Sequence, residues 1–182
     1  STIIEALDDR EERVRRQAVR ALKKCAAVGD LPTLKAFLRE ALPENAMEAI
    51  EVLEALGNAG VEALRAMALE EGVAGAAYYI ARQGDDRGRE ILATRLEAGG
   101  KVCAAAVAFL RELRDARAVP YLIEELEASA DWRGSFLAHE LGAIGTDEAV
   151  SALIGALDRE SHLVRRGAVR GLDEACDPVA IE

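Results

Sequence analysis

Residues 13–22 read RVRRQAVRAL, and residues 163–172 read LVRRGAVRGL. Set in register at an offset of 150, the strings extend into longer matching segments. Ile4/Ile154, Ala6/Ala156, Leu7/Leu157, Asp8/Asp158, Val14/Val164, Arg15/Arg165, Arg16/Arg166, Ala18/Ala168, Val19/Val169, Arg20/Arg170 and Leu22/Leu172 are identical, with no gap. Self-similarity of this kind marks a repeat architecture and directs a search for copies in between. An apolar anchor recurs as Leu22, Leu56, Ile80, Leu110, Leu141 and Leu172, a mean spacing of 30. Before each anchor, apolar residues fall at three- and four-residue steps, as in Val14, Ala18, Val19 and Leu22, which forms one buried stripe on a helix. After several anchors Gly is followed by acidic residues or Thr, as in GDD at 84–86 and GTDE at 145–148. Gly suits a left-handed helix end, and Asp or Thr caps the helix that follows. That next helix has its own stripe: Val119, Leu122, Ile123 and Leu126 match Val150, Leu153, Ile154 and Leu157 at an offset of 31.

Each unit therefore reads as two antiparallel helices, neither of which can bury its stripe alone, so neighbours stack to bury it jointly. The expected fold is all-α: an α-solenoid of about six helix pairs. It forms a single repeat domain over 1–182, with approximate repeats 1–29, 30–59, 60–85, 86–115, 116–146 and 147–177. The long interval before Leu56 and the short one after it predict a longer turn around Leu42-Pro43-Glu44 and a trimmed third repeat.

Composition agrees. Hydrophobic residues make up 51% of the chain but aromatics only 4%, which fits an Ala- and Leu-rich helical protein and leaves few strand signals. Three cysteines, Cys25, Cys103 and Cys176, are widely spaced without a C-x-x-C, so buried free thiols are expected rather than disulfides or zinc. No apolar run reaches the roughly 20 residues that span a bilayer, and a cytoplasmic location without a membrane partner is expected. The formal net charge of −10 disfavours nucleic acid, because a phosphate array repels such a surface. The first residue is Ser rather than Met. STIIEAL at 1–7 resembles the end of a helix and DPVAIE at 177–182 the start of one, so apolar end faces and an end-to-end homodimer are expected.

The strings VRRQAVRAL, VRRGAVRGL and ELGAIGTDEAVSALIGAL resemble the short HEAT-like repeats of phycobilisome lyases, most closely in the first, fifth and sixth units. The tetratricopeptide and ankyrin signatures, at similar periods, are missing. The resemblance implies that Arg15 and Arg165 pair with inter-helix aspartates such as Asp8 and Asp158 in ladders. It also implies that the second helix of each pair lines the concave surface.

On that surface the outward positions hold the candidate partner contacts: Tyr78, Tyr79, Trp132, Phe136 and His139 in the middle of the chain, with Arg16, Arg20, Arg166 and Arg170 as rims. Small residues surround the rings, in GVAGAA at 72–77 and CAAA at 103–106. Two readings stand: the small residues leave an apolar groove beneath the aromatic edges, or they permit close helix packing and the rings are core. No catalytic constellation, metal site or cofactor site stands out. A di-iron site like that of deoxyhypusine hydroxylase needs several His, and this chain has two. A HEAT-like DNA glycosylase would need its arginines near the centre, whereas these lie in the end repeats. The expected function is a non-catalytic scaffold that binds a protein partner. The alternative, implied by the resemblance, is a lyase-like or chaperone-like subunit handling a tetrapyrrole or its acceptor protein.

Overall fold

A computed structural model describes residues 2–96 and 100–176. Among them are twelve α-helices and no strand: α1 (Thr2–Glu5), α2 (Glu12–Cys25), α3 (Leu31–Glu40), α4 (Pro43–Ala55), α5 (Asn58–Leu69), α6 (Ala74–Arg82), α7 (Asp86–Leu96), α8 (Gly100–Glu112), α9 (Val119–Ala128), α10 (Trp132–Ile144), α11 (Asp147–Ala156) and α12 (His162–Ala175). The fold class is the expected all-α helical repeat. No helix among the described residues is long and apolar enough to cross a membrane. The chain divides into two compact units, Ser1–Phe109 and Leu110–Glu182.

In the first unit the core is built from the predicted stripes, with Leu7, Leu34, Leu38, Ile50, Leu53, Leu64, Met67 and Leu92 fully buried. The second anchor is Leu53, not Leu56. Leu53 is fully buried, whereas Leu56 is half-buried at the end of α4. The two lie one helical step apart, so the stripe alone cannot separate them. Only two residues join α3 to α4, and Pro43 opens α4 as a first-turn proline. The long turn predicted around Leu42-Pro43-Glu44 is therefore absent.

In the second unit Val119, Leu122 and Leu126 of α9 face a core shared with Leu137 and Leu141 of α10, Leu153 of α11 and Val164 and Ala168 of α12. Asp131 caps α10, its carboxylate accepting the Arg133 backbone N–H at 2.9 Å. Gly145, left-handed at φ +70°, ends α10, and Thr146 Oγ1 then accepts the Ala149 N–H at 3.2 Å to start α11. The most extensive helix contact among the described residues of this unit is between α10 and α12. Its pairs (Gly134 with Val164, Ser135 with Gly167, Gly142 with Gly171) rise together in number, so the two helices run parallel.

The matching copies are not buried alike. Val164 is fully buried against α10, but its equivalent Val14 is 40% exposed; Val19 is buried, but its equivalent Val169 is 59% exposed. Each copy buries the half of its stripe that has a neighbour: α2 has no earlier second helix among the described residues, and α12 no later one. Ile154 is exposed on α11 for the same reason. Cys25 and Cys176 are exposed rather than buried, because they sit at the ends of α2 and α12. The Cys103 side chain and the 177–182 segment lie outside the described residues.

The expected arginine–aspartate ladders are replaced by another device. The Arg15 Nη1 donates to the carbonyls of Asp9 (3.0 Å) and Arg10 (3.4 Å). Arg165 Nη1 does the same to Arg159 and Glu160, both at 2.7 Å. In both copies the guanidinium closes the inter-helix turn through the carbonyls five and six residues earlier. Arg15 adds an ion pair with Glu48 at 3.2 Å, and Asp8 instead accepts from Asn45 at 2.5 Å.

Candidate functional site

The structure divides the predicted contact residues into three groups. Tyr78 and Tyr79 are buried, and Tyr78 stacks on Phe109 with centroids 5.0 Å apart. Every residue of α6 from Gly75 to Ala81 is buried. A methyl at Gly75 would meet Leu38 at 2.9 Å and Ala46 at 3.2 Å. The small residues of this segment thus serve close packing, and these two tyrosines are core rather than groove, a correction to their expected exposure.

Arg16 and Arg20 are exposed in the first unit, beside an open cavity of about 590 Å³ between α2 and α4. That cavity is polar and largely self-neutralised: Arg16 pairs with Glu12, Lys23 with Glu51 at 2.6 Å and Arg15 with Glu48.

Trp132, Phe136 and His139 lie on α10 of the second unit, and they are exposed. The helix buries Gly134, Leu137, Ala138, Leu141 and Gly142 as its stripe, so positions 132 and 136 fall off it, one turn apart. Trp132 is 66% exposed and Phe136 45%. Trp132 is the first helical residue after the cap, with no preceding turn of its own helix to cover it. The two rings line an open cavity of about 670 Å³ with Arg111, Glu125, Ala128, Ser129, Arg133 and Leu137. The Arg111 guanidinium lies 5.2 Å from the Phe136 ring centre, and that of Arg133 lies 5.8 Å from the Trp132 ring, both within cation–π range. Neither arginine was among the sequence candidates; the signal open to reading was an Arg directly beside an off-stripe Trp.

Next to this cavity is a charged cluster. Arg111 Nε is 3.4 Å from Glu140, and His139 Nδ1 is 2.9 Å from Glu174, which Arg114 also reaches at 3.6 Å. Burial holds the Glu140 carboxyl above its usual range, opposed by the charge of Arg111. With its folded pKa raised, Glu140 binds its proton more readily in the folded state. It therefore lowers stability as pH rises from the ordinary glutamate range through the raised value. Urea melts across mildly acidic to neutral pH should show the wild type losing ground to Glu140→Gln as pH climbs; parallel profiles would count against the shift.

Arg166 and Arg170 are exposed on α12. Glu174 follows Arg170 by four residues and Arg166 by eight, so the three share a helix face. The Glu174 contact with His139 turns that face toward α10. The second unit thus carries Trp132, Phe136 and His139 exposed on α10 and Arg166 and Arg170 exposed on α12, while Arg16 and Arg20 belong to the first unit.

No curated protein matches the chain. The PBS lyase HEAT-like repeat family model matches residues 102–128, which run from within α8 to the end of α9. The match falls between the copies most alike in sequence rather than on them, and over that stretch the chain is similar to a PBS lyase HEAT-like repeat, in keeping with its all-α helical-repeat fold.

Proposed function

We propose that this protein is a non-catalytic scaffold that binds a protein partner, and that Trp132 and Phe136 form the centre of the contact. The observation that carries this reading is two large rings left in solvent one turn apart, each beneath a guanidinium, at an apolar cavity. Exposed aromatics paired with Arg are the side chains that dominate interface energetics, and isolated rings of this size are otherwise buried for their large transfer energy. Trp132→Ala combined with Phe136→Ala should reduce capture of partners from the source organism at least about tenfold, as loss of one interface hot spot would. The melting temperature should stay within about 2 °C of wild type, because both rings are exposed. Undiminished capture would count against the reading, and a large fall in melting temperature would return the rings to a structural role.

A second reading rests on the family match: a lyase-like or chaperone-like subunit for a tetrapyrrole or its acceptor, with Arg111 and Arg133 suited to propionate groups. The scaffold reading expects no change in visible absorption when bilin or haem is titrated in. A saturable shift abolished by Trp132→Ala would favour the tetrapyrrole.

A further inference from the structure

Resting on the docking role just proposed for the α10 face, we infer that the partner segment is acidic, with an aromatic or aliphatic side chain entering the Trp132–Phe136 cavity between flanking carboxylates. The apolar part follows from the cavity walls: the two rings, Leu137 and Ala128. The acidic part follows from the arginines. The Arg133 guanidinium, 5.8 Å from the Trp132 ring centre, is exposed, and guanidinium N–H donors match a carboxylate in pairs. Among the described residues, the side chains of Arg133, Arg166 and Arg170 have no carboxylate partner. The acids nearby are mostly engaged, Glu140 by Arg111 and Glu174 by His139 and Arg114. Glu125 is the one acid lining the cavity. What remains is an apolar cavity with Arg133 in its wall, and Arg166 and Arg170 exposed on the α12 face that meets α10 through His139 and Glu174.

A nucleic acid would also meet arginines and an exposed indole. It is disfavoured here because Glu125, Glu140 and Glu174 stand among the arginines. A continuous phosphate array cannot avoid those carboxylates, whereas a peptide can space its own acids to reach the arginines.

Trp132 is the only tryptophan of the chain, so its emission reports occupancy of this cavity directly. The test titrates the full chain with four probes: a short peptide with a central Leu-Phe pair flanked on each side by glutamates alternating with serines; the same peptide with lysines for glutamates; the glutamate peptide with Ala-Ala for Leu-Phe; and a single-stranded oligonucleotide. The glutamate Leu-Phe peptide should shift the emission to the blue and saturate, with binding that weakens as salt is added. The lysine and Ala-Ala peptides should bind about tenfold more weakly or worse. Arg133→Ala combined with Arg170→Ala should lower affinity for the glutamate peptide by about tenfold while leaving the unliganded circular dichroism spectrum unchanged. Equal binding of the lysine peptide would overturn the inference, as would tighter binding of the oligonucleotide. If no peptide shifts Trp132 while the Trp132→Ala, Phe136→Ala variant still loses its partners, the acidic segment is ruled out and partner docking stands. If partner capture is also unaffected, both fail.

Discussion

Gly142→Ala is expected to destabilise the protein by about 2 to 3 kcal/mol, the cost of forcing an atom into a filled contact. A Cβ at position 142 would lie 2.2 Å from the carbonyl oxygen of Gly171 and 2.4 Å from its Cα. Both are backbone atoms of α12, so no side chain can turn aside to make room. The helices would have to separate, uncovering Ala138, Leu141 and Ala168, which are fully buried. Intrinsic preference runs the other way, since Ala is favoured over Gly inside a helix by about 1 kcal/mol. A net loss therefore isolates the packing cost. Gly155→Ala on α11 is the control: nothing lies within 4 Å of its would-be Cβ, and a gain of about 0.5 to 1 kcal/mol is expected. Urea denaturation of both variants checks the pair of signs. A Gly142→Ala protein as stable as the Gly155→Ala protein would mean that α10 and α12 do not approach so closely.

The same contact shows why the fold could be read from the chain. Stacked helix pairs impose the same demands at the same positions of every copy. Leu122 and Leu153 are both buried at an offset of 31, and Gly84 and Gly145 both adopt positive φ where a helix must stop. Position in the stack, by contrast, leaves no mark on a residue. Val14 and Val164 are the same residue in the same phrase and differ in whether a second helix precedes them among the described residues.

The site was half legible for a related reason. Tyr78 and Phe136 both sit on second helices, but Tyr78 is buried and stacked on Phe109 whereas Phe136 is exposed. Periodicity within one helix reports the face that is buried and says nothing of what lies opposite the other face. The arginines of the cavity were hidden in another way. Arg111 and Arg133 look like solvated-face residues, and only the rings beneath them give them a role. The carbonyl bonds of Arg15 and Arg165 leave no trace either, since every residue offers a carbonyl and no complementary side chain advertises the acceptor.

Those carbonyl bonds carry the second large effect. Arg15→Met, which keeps the aliphatic stem but removes the donors, should cost about 2 to 4 kcal/mol. The guanidinium and Glu48 are each only 14% exposed. Removing Arg15 would leave Glu48, whose Oε2 already lacks a hydrogen-bond partner, as a largely buried carboxylate with no counter-ion. The turn at Asp9 and Arg10 would lose its closure as well. Arg165→Met removes two charge-assisted bonds to carbonyls at the surface and, among the described residues, no ion pair with a carboxylate, so about 1 to 2 kcal/mol is expected. Arg16→Met, next to Arg15 in the same phrase but paired with Glu12 in solvent, should change stability by no more than about 0.5 kcal/mol. Denaturant melts of the three variants place the arginines of one phrase in different physical roles. Combining Arg15→Met with Glu48→Gln should recover part of the loss, because the stranded charge is then gone. Equal costs at Arg15 and Arg165 with no recovery would assign the stabilisation to turn closure alone and leave Glu48 out of it.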